Sequence, residues 1–415
     1  MPKAIPILCI IVLSGSVRAA DIQTTKERIE DGVSSIARDA ASGKTVVTTA
    51  SGKKIALEDV KEIVFSDKAP RRVQDAHFLL ASGDELLGTI GDEAKPGESV
   101  KLATASLGTV EVSLDLVAAV FLDASPEDES RIGQRRLGWL LDGKGERPSH
   151  DTFLLHSGDG GNLTGFVRKL SREGLVFEEK GGTVWPAFPL KKVELVVFGG
   201  PQPKKAEPVL RVRLDLSDGS VLSGVLRKLE SGKVEIEHAL GKGSPATLSI
   251  DTKEVLALEV ENGNVTYLST LAPAKVTEKF PEGFARDPDL FRWKRDHEVL
   301  GGPLRLKGKT YSRGLGVQTH SSLEFALAGA YRELRATVGL DDSVKYAGDP
   351  GQGSVTFRVL VDGEVKKEVK KKKGDAPEEI SVAVANAKTV TLVADYGDYL
   401  HVLGRADWAD AYLVK

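Results

Sequence analysis

The sequence predicts an all-β chain: an array of small barrel-like repeats followed by a β-sandwich. Three observations carry that reading. First, alternating apolar residues flank a tight glycine turn that leads into Leu-x-Gly in three segments. They are Ser82-Gly83-Asp84 before Leu86-Leu87-Gly88, Ser157-Gly158-Asp159 before Leu163-Thr164-Gly165, and Ser217-Asp218-Gly219 before Leu222-Ser223-Gly224. This is hairpin patterning. Second, a signature spaced three, three and two residues recurs four times: Leu57, Val60, Ile63, Phe65; Leu114, Val117, Val120, Leu122; Leu190, Val193, Val196, Phe198; and Thr252, Val255, Leu258, Val260. Third, the final part of the chain carries longer period-two runs, such as Val355, Phe357, Val359 and Val361, between Gly and Asp turns. Such runs read as a sandwich.

Composition bounds the classes. The 415 residues exceed one typical domain. Hydrophobic residues at 41% and charged residues at 28% are globular values and exclude wholesale disorder. A net charge of -3 does not describe a nucleic-acid binder steered by its overall field. Cys9 and Met1 are the single cysteine and methionine. Beyond residue 20, disulfides, cysteine nucleophiles, zinc–cysteine sites and iron–sulfur clusters are therefore excluded.

Residues 1–20 read as a signal peptide. Lys3 supplies the positive end, Ala4 to Leu13 the apolar run, and Val17 and Ala19 the small residues before cleavage. The run is too short to span a bilayer, and no later stretch is apolar enough to do so. A periplasmic or secreted protein, with no membrane span in the mature chain, is the expectation.

Residues 21–66 form a degenerate first repeat. Ile29, Val33, Ile36, Ala37 and Ala40 fall at helical spacing, so an amphipathic helix over 24–41 is the alternative there. Residues 72–123 are the second repeat and 124–149 a charged linker with an apolar tip at Trp139, Leu140 and Leu141. Residues 150–199 are the third repeat, 200–208 a Pro-rich linker and 209–265 the fourth repeat. Short antiparallel strands with tight turns favour small barrels or curled sheets. In their opening hairpin the repeats resemble Sm-like small barrels. In such barrels RNA binding depends on particular loop residues. No basic-aromatic interleaving is present here, so no nucleic-acid partner is expected.

The C-terminal residues carry five ordered motifs: Tyr267 to Pro273 (YLSTLAP), Tyr311 to Val317 (YSRGLGV), Val338 to Asp342 (VGLDD), Gly353 to Gly363 (GSVTFRVLVDG) and Ala406 to Leu413 (ADWADAYL). Through these, residues 266–415 resemble the NPCBM family of carbohydrate-binding modules, a galactose-binding-like jelly roll. The resemblance implies sugar binding, in exported proteins that often accompany glycosidases. The family's stretch after GLGV commonly continues with a histidine. Here that position is Gln318, and His320 lies two residues further on.

Sugar recognition needs an aromatic face against the pyranose C–H groups and fixed polar groups for its hydroxyls. Trp293, Tyr311, Tyr396, Tyr399 and Trp408 are the candidate platforms, with Trp408 expected in the core. Gln318, His320 and His401 are the candidate polar groups. Asp341 and Asp342 end a strand. They read as turn carboxylates or, in the sharper reading, as Ca²⁺ ligands that Asp395, Asp398, Asp407 and Asp410 could join. Ca²⁺ is admitted but no cofactor is required. Lys366 to Lys373 reads as a solvated hairpin.

No G-x-S-x-G, H-E-x-x-H or phosphate-cradling loop is present, and residues 21–265 lack the strand–helix alternation of a catalytic barrel. The expected function is that of a non-catalytic carbohydrate-binding protein, its partner a glycan or polysaccharide, with the repeats as spacer or docking array. The alternative is a structural or protein-interaction component of the envelope, in contact with envelope proteins and without sugar binding.

Overall fold

The computed structural model describes residues 21–71, 76–122, 148–155, 162–200, 209–240, 245–280, 291–344, 353–398 and 400–415. Residues 1–20, where a signal peptide is expected, the Ser157-Gly158-Asp159 segment, Tyr399 and nearly all of residues 124–149 and 200–208 lie outside the described residues.

Each repeat builds a curled sheet of short antiparallel strands. In the fourth, Arg211–Leu216 pairs with Val221–Glu230, which pairs with Lys233–His238, which pairs with Ala246–Asp251. A 3-10 turn at Thr252–Glu254 then reverses the chain, and Val255–Glu261 returns to pair with Arg211–Leu216. The turns at Leu57–Asp59, Leu114–Leu116 and Leu190–Lys192 do the same in the other units. This explains the recurring signature. Its first residue opens the turn, and the next three enter or follow the closing strand on its inner side. Val60, Ile63, Val117, Val120, Val193, Val196, Val255 and Leu258 are all buried in one core.

The Leu-x-Gly glycine has a steric cause. A Cβ on Gly88, Gly165 or Gly224 would lie 2.4, 2.0 or 2.7 Å from the carbonyl oxygen of Ala103, Glu178 or Glu237. The curled sheet brings backbone to backbone there, which only glycine allows.

Residues 24–41 are strands, not a helix. Val33–Arg38 pairs with Thr45–Thr49, and the register shifts between Val33 and Ser35. That bulge turns Val33 and Ile36, three residues apart, to the same buried side. A bulged strand thereby imitates helical spacing.

The four units join through their closing strands. Val60–Val64 of the first pairs antiparallel with Val255–Glu261 of the fourth, Ile63 opposite Leu258. Val117–Leu122 of the second pairs with Val193–Val197 of the third, Val120 opposite Val196. The second and fourth units also exchange turn carboxylates. Asp84 accepts from the Ser223 N–H (2.8 Å) and lies 2.9 Å from Nε2 of the buried His238, while Asp218 accepts from the Ser106 N–H (2.9 Å).

The C-terminal part is a two-layer sandwich. One sheet runs in the order Lys294–Arg295, Gly314–Gln318, Arg405–Val414, Glu333–Leu340, Glu378–Ala383, with Val265–Tyr267 also on Arg405–Val414. The other runs Lys275–Glu278, Ser321–Ala326, Thr389–Tyr396, Ser354–Val361, Glu364–Lys372. Leu315, Leu323, Phe325, Val338, Val355, Phe357, Val359 and Leu392 fill the space between. Trp408 is fully buried there, edge-on to Phe357 at 5.1 Å. Truncating so large a core ring costs about 3–5 kcal/mol. The basic run is the outer strand of a largely exposed hairpin: Glu364–Lys372 pairs back onto Ser354–Val361 and carries Lys366 to Lys372 on the sheet edge, where charge discourages strand addition by other chains.

Candidate functional site

The turn at Thr319-His320 carries the chain from one sheet of the sandwich to the other, because Gly314–Gln318 and Ser321–Ala326 belong to opposite layers. Beside it a connected chain of polar side chains runs over the second sheet. His320 Nδ1 lies 3.0 Å from Asp395 Oδ1. Arg358 Nη1 donates to Asp395 Oδ2 at 2.5 Å, and Arg358 Nε donates to Glu368 Oε2 at 2.7 Å. The alternation that turns Val355, Phe357 and Val359 inward turns Arg358 outward. Burial works to raise the Asp395 carboxyl. Hydrogen bonds from His320, Arg358 and the Tyr396 N–H outweigh it and hold the pKa below the ordinary carboxylate value. Asp395 is therefore a fixed anion that orients His320.

Aromatic groups border this chain. The Tyr396 ring lies 5.9 Å from His320, and its hydroxyl donates to the Lys279 carbonyl at 3.2 Å. The Lys279 N–H in turn donates to the His320 carbonyl. Glu278, opposite Ser321 in the ladder, accepts from the Trp293 N–H at 2.7 Å and from Arg292 at 3.2 Å. Trp293 is half-buried against the sandwich core, with the Arg295 guanidinium 5.3 Å from its ring centre.

The loop after Tyr396 closes the same end. Gln318 is buried and donates through Nε2 to the His401 carbonyl at 2.9 Å. A Cβ on Gly404 would lie 2.0 Å from Thr319 Oγ1, and one on Gly397 2.2 Å from Ser354 Oγ, so the loop is pressed on the turn. Leu400 and Leu403 take positive φ of 52° and 53°, a strained conformation for leucine. Leu400 and Val402 point outward, 62% and 41% exposed. The hydroxyls of Thr319, Ser321 and Ser354 are buried without hydrogen-bond partners among the described residues.

Of the sequence candidates, the structure gathers Trp293, Gln318, His320 and His401 at this end. Gln318 braces the loop through its side chain, and His401 receives that bond on its carbonyl. Tyr311, Asp341 and Asp342 belong to another group, around the hairpin of Leu304–Leu306 and Lys309–Tyr311. Lys309 Nζ sits 4.6 Å from the Tyr311 ring centre. Asp341 accepts from the Arg305 and Ser343 N–H groups, and Asp342 from those of Lys307 and Gly308. Their oxygens hold the hairpin against the strand end. Among the described residues no group of three or more His, Asp or Glu side chains is placed to hold a metal ion. Asp398 pairs with Lys372 and Asp410 with Lys61. Burial, then the nearby Asp341 carboxyl, pushes Asp407 far above the carboxylate range. Sequence reasoning missed Arg358, Glu368 and Glu278. Strand alternation marked Arg358 as outward, but its partners come from other strands.

Residues 264–414 are an NPCBM/NEW2 domain. A Renibacterium salmoninarum protein named "putative endo-alpha-N-acetylgalactosaminidase" is 32% identical over 112 residues, which are 27% of this chain and 7% of that protein. The chain thus spans a small fraction of the curated relative's length. Among solved structures, CBM51-2 with GlcNAc and INT domains of Clostridium perfringens ZmpB shows 25% identity. It covers 44% of this chain and 36% of its own, with a TM-score of 0.32. The Clostridium perfringens GH95 CBM51 in complex with methyl-galactose shows 22% identity, covers 36% and 99%, and has a TM-score of 0.31. No helix among the described residues is long and apolar enough to cross a membrane.

Proposed function

We propose that the NPCBM domain holds a glycan at the end that carries His320, Tyr396, Trp293 and the residues Leu400 to Gly404. The observation that carries this is the hydrogen-bonded chain from His320 through Asp395 and Arg358 to Glu368. It fixes polar groups beside half-buried aromatic rings, the combination that pyranose recognition requires. The apolar tip of Leu400 and Val402 and the strained leucine backbone give the loop a shape set by something other than its own stability.

The protein acts in this reading as an exported, non-catalytic binder, with the four β units as its spacer or docking array. Export rests on residues 1–20. The non-catalytic reading is supported by the carboxylates at the site. Asp395, Glu368 and Glu278 each have a cationic partner, and Asp395 is held ionised, whereas glycoside hydrolysis needs one carboxylic acid kept protonated. The oxygens of Asp341 and Asp342 already accept backbone N–H groups, so binding needs no Ca²⁺ here.

A glycan array probed with the full chain, with and without Ca²⁺, tests this. Selective binding that falls at least about tenfold in His320→Ala and Arg358→Ala, independent of Ca²⁺, supports the reading. No binding to any glycan, or binding untouched by both variants, overturns it in favour of a structural envelope component that contacts proteins.

A further inference from the structure

The two pairs of closing strands lie in four-stranded sheets of the same build. In the first–fourth pair the order is Asp21–Thr24, Val60–Val64, Val255–Glu261, Arg211–Leu216. In the second–third pair it is Ala76–Leu80, Val117–Leu122, Val193–Val197, Asp151–Leu155. The inner rows correspond. They are Ile22, Ile63, Leu258 and Leu214 in one sheet and Phe78, Val120, Val196 and Phe153 in the other, all in the core. The outer faces differ. The first–fourth sheet turns Gln23, Glu62, Glu259 and Arg213 outward, and the NPCBM domain sits there through Arg313 and Glu259. The second–third sheet turns out Leu79, Ala119, Phe121, Leu195 and Val197.

This apolar face is buried, Ala119 completely. Its residues form a cluster of their own, which Ala118, Ala81 and Leu154 join. Every described member of the cluster belongs to this sheet or, as Ala81, directly follows one of its strands. A sheet face is buried only by a second layer packed upon it. The burial exists within the single chain, so the layer needs neither a partner nor a second copy.

The topology says where that layer comes from. Val117–Leu122 and Asp151–Leu155 both pair antiparallel with Val193–Val197, on its two sides, and are therefore parallel to each other. Parallel strands cannot be joined by a hairpin. They need a crossover of about a dozen residues or more over one face of the sheet. Here the connection is residues 123–150, of which 123–147 lie outside the described residues. The inner face is filled by the Phe78, Val120, Val196 and Phe153 row, so the outer face is the one left to cross. The connection brings the side chains to cover it: Ile132, Leu137, Trp139, Leu140 and Leu141. We propose that residues 123–150 dock on the outer face of the second–third sheet, with Trp139, Leu140 and Leu141 seated on Ala119, Phe121 and Leu195. The segment takes there the place that the NPCBM domain takes on the first–fourth sheet. Each pair of units then has its outer face occupied by this chain, and a partner of the array must bind elsewhere.

The test uses the full chain with Cys9→Ser, which removes its single cysteine. Ala119→Cys then places one thiol on the face, and its labelling by a maleimide reports whether the face is covered. Labelling should be slow, and at least about tenfold faster once Trp139→Ser, Leu140→Ser and Leu141→Ser are added. Fast labelling before they are added, or a rate unmoved by them while the melting curve is kept, overturns the proposal. If the triple variant does not fold, cross-linking decides. Trp139→Cys, Leu140→Cys and Leu141→Cys are each combined with Ala119→Cys and oxidised. A disulfide within one chain in at least one combination supports the docking. No link in any of the three, or links between two chains alone, overturns it.

Discussion

Arg313 grips Glu259 across the junction between the NPCBM domain and the fourth β unit. Its Nε lies 2.9 Å from Glu259 Oε2 and its Nη2 2.6 Å from Oε1, with both side chains nearly buried. Nη1 reaches Asp296 at 3.2 Å on its own side. Beside this pair, buried Lys61 of the first unit meets Asp410 at 2.5 Å and lies 4.7 Å from the Tyr412 ring centre. The junction is thus a largely buried ionic seam, with Asp410 and Asp296 partly open to water, not a flexible tether.

Arg313→Ala should uncouple the two parts. It leaves Glu259 buried without its bidentate partner, which costs about 3–5 kcal/mol. Differential scanning calorimetry of the full chain should show the wild-type endotherm split into two transitions, the domains melting apart. A single unsplit transition at the wild-type temperature would refute the seam's role.

Glu62 gives the seam a pH dependence. Burial, opposed by Lys61 and reinforced by Asp410 and Glu259, raises its pKa from 4.5 to about 7. Between those two values the folded chain holds a proton that the unfolded chain has released, so this group's contribution to stability falls as pH rises through that window. Allowing for its partial exposure, the loss is on the order of 1–2 kcal/mol. Glu62→Gln should therefore raise the urea midpoint at pH 8 and leave it nearly unchanged at pH 4.5. An equal shift at both pH values would contradict this.

Gly165→Ala should destabilise the third unit. The new Cβ would meet the Glu178 carbonyl oxygen at 2.0 Å, and its three nearest atoms are all backbone of Glu178 and Glu179, with no flexible side chain to yield. A loss of about 2–4 kcal/mol is expected, read as a lower urea midpoint. A midpoint within error of wild type would show that the strands can separate freely.

Asp395→Asn keeps the shape but removes the anion that fixes His320 and Arg358. Glycan affinity should fall about tenfold, with the melting temperature little changed because the group lies at the surface. A large drop in melting temperature with unaltered affinity would assign Asp395 to the fold instead.

The β class and the turn–strand periodicity were legible because alternation and tight turns are local. The closing-strand signature was visible as spacing, yet its partners were not. Four similar edges could pair in several combinations, and only Ile63 opposite Leu258 and Val120 opposite Val196 show which was chosen. The Val33 bulge defeated the periodicity at the first unit. At the site, His320 and Trp293 stood out as residue types. The Asp395–Arg358–Glu368 chain did not, since its members meet only when three strands align. Asp410 suggested a cation ligand by composition and proved to be the partner of Lys61.

The closing-strand pairs are nested in the chain like brackets, the second unit with the third inside the first with the fourth. The inner pair can form as soon as residue 197 has left the ribosome. The strand Val60–Val64 must wait with one edge open until Val255–Glu261 arrives, after both inner units have been made. Closing so long a loop is slow but costs little extra stability. A chain stopped short of residue 255 would carry a finished inner pair and an uncapped apolar strand at its head, open to pairing with its neighbours.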